Sequence, residues 1–293
     1  MKTVSITTYK AFLDEVKLEA ETQSWTTQRD VTTGGLRELI LKSPNDAIVC
    51  LKEISDSSTY FNIIINYATS FDTTKSFWQQ PGSAFNYPDN TSNTSYRAPV
   101  LPLHNNSMNL FLFINVNRIV IVVNALSKYV SLYAGRYLRN GTMGQLPNNL
   151  FIGASLNYYD PKTPLSTTSI RTFFWQKSMG YGTSVMKDEL SENIYLTGDN
   201  VLNGQCSIHP FNYSNNIYNI KDRAGQMIIY PSLIAANQKN LGELDGIFFI
   251  SSIAGITPEN EITRTVGGVT TTYKIFIDGN IVTPNNAFFA VEI

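Results

Sequence analysis

Charged side chains are scarce in this sequence. They make up 15% of its 293 residues, against roughly 25% in an average soluble domain, and asparagine, serine, threonine and tyrosine fill the polar positions instead. The 22 basic and 23 acidic residues leave a net charge of −1. This balance creates no long-range field that would attract nucleic acid or an anionic membrane surface. We therefore expect that nucleic acid is not the main ligand, and the low charge favours a protein that works within an assembly.

Long hydrophobic runs are absent as well. The longest apolar stretches, such as residues 119–123, are far shorter than the ~20 residues that a membrane-spanning helix needs. The amino terminus carries a lysine but no apolar segment of the kind that forms a secretory signal. The sequence therefore predicts that the protein is synthesised in the cytoplasm and does not insert into a membrane.

Cysteine and histidine, the usual metal ligands, occur only twice each. Cys50 lies in an apolar run and Cys206 in a polar one, so we expect two unpaired thiols and no disulfide scaffold. Cys206 precedes His209 by three positions, but two ligands do not make a zinc site, and His104 has no ligand type at a suitable spacing. The sequence predicts no metal and no cofactor.

Recognisable catalytic motifs are missing too. The chain has no Gly-x-Ser-x-Gly nucleophile elbow. Glu243 and Asp245 are the most interesting carboxylates, because alternate residues of a strand share one face, although a polar edge at the start of a strand is the favoured explanation. Gly267-Gly268, between threonine-rich flanks, is typical of a hairpin turn and does not lead into a helix as a phosphate loop would. We expect no catalytic residues and no enzyme activity.

The first part of the chain mixes helix and strand patterns. Apolar residues recur at helical spacing over residues 8–21, which predicts an amphipathic helix. After a polar turn, the spacing within residues 36–40 suggests a second short helix that ends before Pro44. Residues 47–51 and 60–67 have the composition of strands. We interpret residues 1–75 as a small N-terminal α+β segment.

The rest of the chain alternates between loops and short β-type runs. Residues 76–109 are rich in proline, asparagine and serine without any period, which predicts a long loop or arm able to reach a neighbouring subunit. Residues 110–293 form the predicted β-rich structural domain, in which two runs separated by residues 124–127 indicate a hairpin. Residues 237–293 are a candidate for a distinct C-terminal β-module, and Pro231 just before it indicates a strand edge or a bend.

These patterns predict a mainly β protein of the α+β type, built from antiparallel sheets or a sandwich, with a short N-terminal helical segment and long loops. At the end of the predicted hairpin, Arg136 and Arg139 alternate with Tyr133 and Tyr137. The group is either a solvent-exposed hairpin end or a set of interface anchors, since arginine and tyrosine are both enriched at interfaces.

Two blocks of the chain, residues 116–155 and 241–293, carry a further pattern. In the first, a strand ends in Tyr133-Ala-Gly-Arg136, a loop with glycine and proline follows, and the next strand closes in Phe151-Ile-Gly-Ala-Ser155. In the second, Gly242-Glu-Leu-Asp-Gly246 leads to a Gly-Gly turn and then to a final strand with an alanine beside an aromatic residue.

Both blocks resemble a family of tailed-bacteriophage virion structural proteins, although Ala154 stands where the family pattern has glycine. The resemblance implies a structural role in the tail or baseplate of the virion, with copies of this chain and other tail or neck proteins as partners in a symmetric ring. A head-to-tail connector, tail terminator or collar is the alternative within the particle. A carbohydrate-binding or cell-wall-active module is a second alternative, suggested by Trp25, Trp78 and Trp175.

Overall fold

The N-terminal helix forms where the sequence predicts it. In the computed structural model, helix α1 spans Phe12–Thr22 and follows a single 3-10 turn, Tyr9–Ala11. Four apolar side chains on one face of α1 are buried, which confirms the predicted amphipathic helix: Phe12, Leu13, Val16 and Ala20. The structure describes residues 1–56, 58–83, 98–139, 149–155, 164–165, 184–187, 193–195, 206–209, 229–236, 239–250, 257–277 and 288–293.

Nineteen described strands form three antiparallel sheets, which confirms the predicted mainly β fold. The strands are β1 (Lys2–Ile6), β2 (Thr26–Thr33), β3 (Leu36–Lys42), β4 (Ile48–Ser55), β5 (Phe61–Ala68), β6 (Val100–Leu103), β7 (Met108–Ile114), β8 (Arg118–Ala125), β9 (Lys128–Arg136), β10 (Leu138–Arg139), β11 (Leu150–Ala154), β12 (Ser184–Lys187), β13 (Asn193–Tyr195), β14 (Cys206–His209), β15 (Ile229–Ala236), β16 (Lys239–Ile250), β17 (Glu261–Val266), β18 (Val269–Ile277) and β19 (Phe288–Glu292).

The five-stranded N-terminal sheet has the order β2-β3-β4-β5-β6 and corrects the second predicted helix. Leu36–Lys42 is a strand, not a helix. Gly34 and Gly35 adopt φ of +60° and +78°, which closes a two-residue hairpin turn between β2 and β3. Hydrogen bonding to both neighbouring strands overrides the helix-like spacing of Leu36, Leu39 and Ile40.

The same sheet corrects the long loop predicted over residues 76–109 at both of its ends. Phe77 and Trp78 are buried in a second 3-10 turn, and β6 completes the edge of the sheet beside β5. Pro102 lies in β6 opposite Asn62, a position that an edge strand tolerates because proline has no N–H to donate. Residues 84–97 of the predicted loop lie outside the described part of the chain.

The central sheet has the order β1-β7-β8-β9-β11-β12-β13. Its β8–β9 hairpin confirms the predicted one, with a tight turn at Leu126 and Ser127, both in the left-handed region. Because β1 pairs with β7, the sheet joins residues from both sides of the boundary predicted at residue 75.

The C-terminal sheet has the order β14-β15-β16-β19-β18-β17, and β10 pairs with β16 outside this path. The register between β15 and β16 shifts just after Pro231, which confirms the predicted bend. Residue type and spacing suggested that Asp245 stands at the start of a strand. Instead, Asp245 and Gly246 lie within the 12-residue strand β16. Gly246 has φ of +61°, so a local distortion lets the strand continue through this position.

Two hydrophobic clusters lie on opposite faces of the central sheet. Leu112, Ile121 and Leu132 face α1 and the N-terminal sheet, whereas Phe111, Val122 and Tyr133 face the C-terminal sheet. Both faces of β8 are therefore buried, which explains its uninterrupted apolar run. The central sheet is the layer through which the other two sheets are held together.

Candidate interaction surface

The interface residues proposed from the sequence lie largely inside the protein. Tyr133 and Tyr137 are completely buried, and the Tyr133 hydroxyl donates a 2.5 Å hydrogen bond to the Arg136 carbonyl. Arg136 is half-buried, and its Nη1 donates to Asn149 Oδ1 at 2.8 Å. Arg139 pairs through its backbone with Gly242, while its side chain lies outside the described residues. Apolar packing within the protein already uses both tyrosines. The structure therefore corrects the prediction that they are interface anchors.

The turn between β7 and β8 forms a polar junction, centred on Asn115, between the central sheet, the C-terminal sheet and the segment that follows α1. Asn115 Oδ1 accepts hydrogen bonds from the backbone N–H groups of Asn117 and Arg118 at 2.8 and 3.0 Å. The Asn115 carbonyl accepts from Trp25 Nε1 at 2.7 Å, and Asn115 Nδ2 donates to Asp245 Oδ2 at 3.0 Å. The side chain and backbone of Asn115 thus bind the segment between α1 and β2, the central sheet and the C-terminal sheet.

Arg118 completes this junction with a mostly buried ion pair. Its Nε donates to Asp245 Oδ2 at 3.0 Å, and the two side chains are 6% and 16% exposed. Gly246 follows directly, and a Cβ there would lie 2.1 Å from Arg118 Nη2. Asp245, the carboxylate that the sequence singled out with Glu243, is therefore occupied in holding two sheets together. Sequence reasoning missed Arg118, whose only signal was a charge at the head of the apolar run of β8.

A second network of charges ties α1 to the N-terminal sheet. Arg37 binds Asp30 with two hydrogen bonds, Nε to Oδ1 at 2.7 Å and Nη2 to Oδ2 at 2.9 Å, and Lys17 of α1 also reaches Asp30 at 2.9 Å. Hydrogen bonding to Arg37, followed by that to Lys17, lowers the pKa of Asp30 from 3.8 to about 2. Arg37 Nη1 also donates to Asp14 of α1 at 2.5 Å, so two positive and two negative side chains balance in a network that orients α1.

The base of the β17–β18 hairpin is anchored to the central sheet. Glu259 Oε1 accepts hydrogen bonds from Tyr129 Oη and Asn124 Nδ2, both at 2.8 Å. Burial, and then the contact with Glu259, raises the pKa of Tyr129 above its usual value of 10.0. The Phe276 ring packs against Phe111 at 5.1 Å between centroids. Glu259 itself has φ of +68°, a strained conformation that this anchoring holds in place.

Beyond this base the hairpin extends as an exposed two-stranded ribbon, which we call the C-terminal ribbon (β17, the turn, and residues 269–272 of β18). Residues 263–270 are exposed on both faces. Gly267 and Gly268, with φ of +58° and +83°, form its tip and confirm the predicted hairpin turn. Val266 and Val269 beside them are 57% and 68% exposed, the two highest values among the large hydrophobic residues described. This ribbon is the best candidate for an interaction surface.

Chemistry of other kinds finds little support in the described residues. No group of three or more His, Cys, Asp or Glu side chains lies close enough together there to hold a metal ion. Cys50 is buried, which raises the pKa of its thiol, whereas the side chains of Cys206 and His209 lie outside the described residues. Trp25 and Trp78 are buried in the core, so neither offers a ring for stacking on a sugar, and Trp175 lies outside the described part.

No described helix is both long and apolar enough to cross a membrane. No model of a known protein family matches the chain, and no curated protein is similar to it at a significant level. The geometry of the C-terminal ribbon, and the two sequence blocks, are therefore what a functional proposal has to rest on.

Proposed function

We propose that this protein is a structural component of a tailed-bacteriophage particle, in the tail or baseplate, where its copies assemble into a symmetric ring. The observation that supports this proposal best is the exposed C-terminal ribbon with Val266 and Val269 at its tip. A two-stranded ribbon is only marginally stable in water by itself, and it gains stability when another surface covers it. Burying an exposed valine completely is worth about 1.5–3 kcal/mol.

The way the ribbon is mounted favours assembly over a mobile recognition loop. Glu259 joins its base to Tyr129 and Asn124, and the Arg118–Asp245 pair joins the C-terminal and central sheets. These contacts hold the ribbon in one direction relative to the rest of the molecule. Copies with a fixed projecting element can form repeated, identical contacts, which a closed ring requires.

The described part of the chain carries no competing arrangement of catalytic groups. Asp245, the carboxylate most open to a catalytic interpretation, is bound by Arg118 and Asn115. A head-to-tail connector, tail terminator or collar has the same requirement for ring contacts and differs only in its position within the particle. A cryo-EM map of the particle distinguishes these positions.

Two measurements test the proposal. Mass spectrometry of purified phage particles should detect this chain, and negative-stain electron microscopy of the purified protein should show rings. Changing both tip valines to serine (V266S and V269S) should weaken ring formation about tenfold or more, as the loss of roughly 1.4 kcal/mol of contact energy implies. Absence of the chain from particles, together with a monomeric protein at every concentration, contradicts the proposal.

A matched control separates the tip from a general loss of surface hydrophobicity. Val31 and Val116 are exposed valines elsewhere on the protein, at 47% and 44%. Changing both of these to serine removes the same number of methyl groups. We expect this control variant to form rings as the unmodified protein does.

A further inference from the structure

The strand β17 lies at one edge of the C-terminal sheet. It is the last strand in the order of the C-terminal sheet, and no described strand lies on its other side. Val266 pairs with Val269 across the two-residue turn, and Ile275 N donates to the Asn260 carbonyl at 2.9 Å. Even-numbered residues of β17 therefore direct their N–H and C=O groups toward β18. The backbone groups of Glu261, Thr263 and Thr265 point outward, ready to pair with another strand.

The other five edge strands of the three sheets carry features that oppose such pairing, beginning with β1, which carries Lys2. The register of β2 shifts between Thr27 and Arg29, and Arg29 Nη2 donates to the Lys75 carbonyl at 2.8 Å, which brings another segment to this edge. The edge strand β6 contains Pro102. The strands β13 and β14 are only three and four residues long. Of the usual protections of an exposed edge, β17 has two charged residues, Glu261 and Arg264, but no bulge, proline or lysine.

We infer that β17 pairs antiparallel with β17 of a second copy of this chain, with Thr263 facing Thr263 across a two-fold axis. This joins two ribbons into a continuous four-stranded sheet. The inference rests on the self-assembly in the proposed function, and it specifies the strand and the register through which two copies meet. Combined with a ring contact, a two-fold contact of this kind gives dihedral symmetry.

The side chains of β17 fit this register. Glu261 lies opposite Thr265 of the other copy and keeps its own ion pair with Lys274, at 3.2 Å. Arg264 lies opposite Ile262, so no two like charges face each other. On one face, threonines of both ribbons form adjacent cross-strand pairs, a combination that stabilises antiparallel sheets.

Neighbouring registers are less favourable for two separate reasons. Moving the axis one residue toward the tip places Arg264 directly opposite Arg264 of the other copy, and like charges in that position are destabilising. Moving it one residue toward the base places Thr265 opposite Glu259. The N–H of Glu259 already donates to the Ile275 carbonyl at 2.7 Å, so one hydrogen bond of the new pair is lost.

Cysteine cross-linking tests the contact and its register together. In the proposed pair, the two Cα atoms at position 263 are about 5.5 Å apart, which is within the range that a disulfide spans. At position 265 they are four residues out of register, roughly 13 Å apart, beyond that range. We therefore compare T263C with T265C, both in a C206S background, since Cys50 is buried.

Under mild oxidation T263C should give at least about tenfold more disulfide-linked dimer than T265C, because only position 263 meets the geometric limit. Equal dimer yields from both variants, or none from T263C, overturn the inference. If T263C forms no dimer but the unmodified protein still forms rings, the strand pairing is wrong and the proposed function stands. If T263C forms the dimer but particles lack the chain, the strand pairing is correct and the proposed function is wrong.

A charge test checks the same contact independently of disulfide formation. T263K and T263E place like charges on the two-fold axis, so each variant alone should associate about tenfold more weakly than the unmodified protein. Mixing the two variants should restore association, since Lys then faces Glu. T272K, on the same face but on β18, is the control and should associate normally. Failure of the mixture to recover contradicts the pairing.

Discussion

Arg118 Nε lies 3.0 Å from Asp245 Oδ2, and this ion pair joins β8 of the central sheet to β16 of the C-terminal sheet. Both side chains are mostly buried, so each needs the other to offset its lost hydration. Asn115 donates a second hydrogen bond to the same carboxylate oxygen. The pair is therefore a structural joint between the central and C-terminal sheets.

Changing Asp245 to alanine should lower the free energy of unfolding by about 3 kcal/mol, because it leaves a buried guanidinium without its counter-charge. The double variant R118A/D245A should be less destabilised than the sum of the single variants. Urea denaturation measures all three. As a control, K42A breaks the exposed pair with Asp46 and should cost less than about 1 kcal/mol. Strict additivity of R118A and D245A contradicts the joint.

Gly246 gives a steric test of the same joint. A Cβ at this position would lie 2.1 Å from Arg118 Nη2, and its φ is +61°. We expect G246A to cost about 3 kcal/mol, of which about 1–2 kcal/mol comes from the left-handed backbone. G267A has a similar φ with no atom within 4 Å of the added Cβ, so it should show the backbone part alone. In an R118A background the difference between the two alanine variants should disappear; if it persists, the close approach is not its cause.

Acid should weaken the attachment of α1 through Asp30. Its pKa is lowered from 3.8 to about 2, so the folded state binds this proton less readily than the unfolded chain. The stabilising contribution is complete above about pH 4 and is lost as the pH falls from there through about pH 2. D30N should cost about 2 kcal/mol at neutral pH and should reduce this acid-dependent loss. Urea titrations at several pH values measure it, and an unchanged slope contradicts the assignment.

The contact between Tyr129 and Glu259 at the base of the C-terminal ribbon should make the stability of the protein depend on pH above about pH 10. The pKa of Tyr129 is raised by burial and by Glu259, so the neutral phenol stabilises the folded state. Its contribution is complete below the usual value of 10.0 and is lost as the pH rises beyond it. Y129F should cost about 1 kcal/mol and remove one late-titrating tyrosine from the ultraviolet absorbance curve. A titration curve identical to that of the unmodified protein contradicts the contact.

Particular elements show how far sequence reasoning reached. The helix α1 and the Gly267-Gly268 turn depend on residues close together in the chain, and both were predicted. The strand β3 was mistaken for a helix because its helix-like spacing was weighed without the pairing partners on either side. The position of Tyr133 and Tyr137 at the end of a hairpin suggests surface residues. Both are buried, because the sequence pattern of a hairpin does not show which of its faces another sheet covers.

The sequence by itself determined the mainly β character, the amphipathic N-terminal helix and the tight turns, since these follow from local spacing, residue shape and backbone freedom. Only the tertiary structure decided that Asp245 binds Arg118, that Glu259 anchors a ribbon to Tyr129, and that β17 is the last described strand of its sheet. Each of these joins or exposes residues according to the order in which strands pair. That order depends on contacts between segments more than one hundred residues apart, which no local pattern contains.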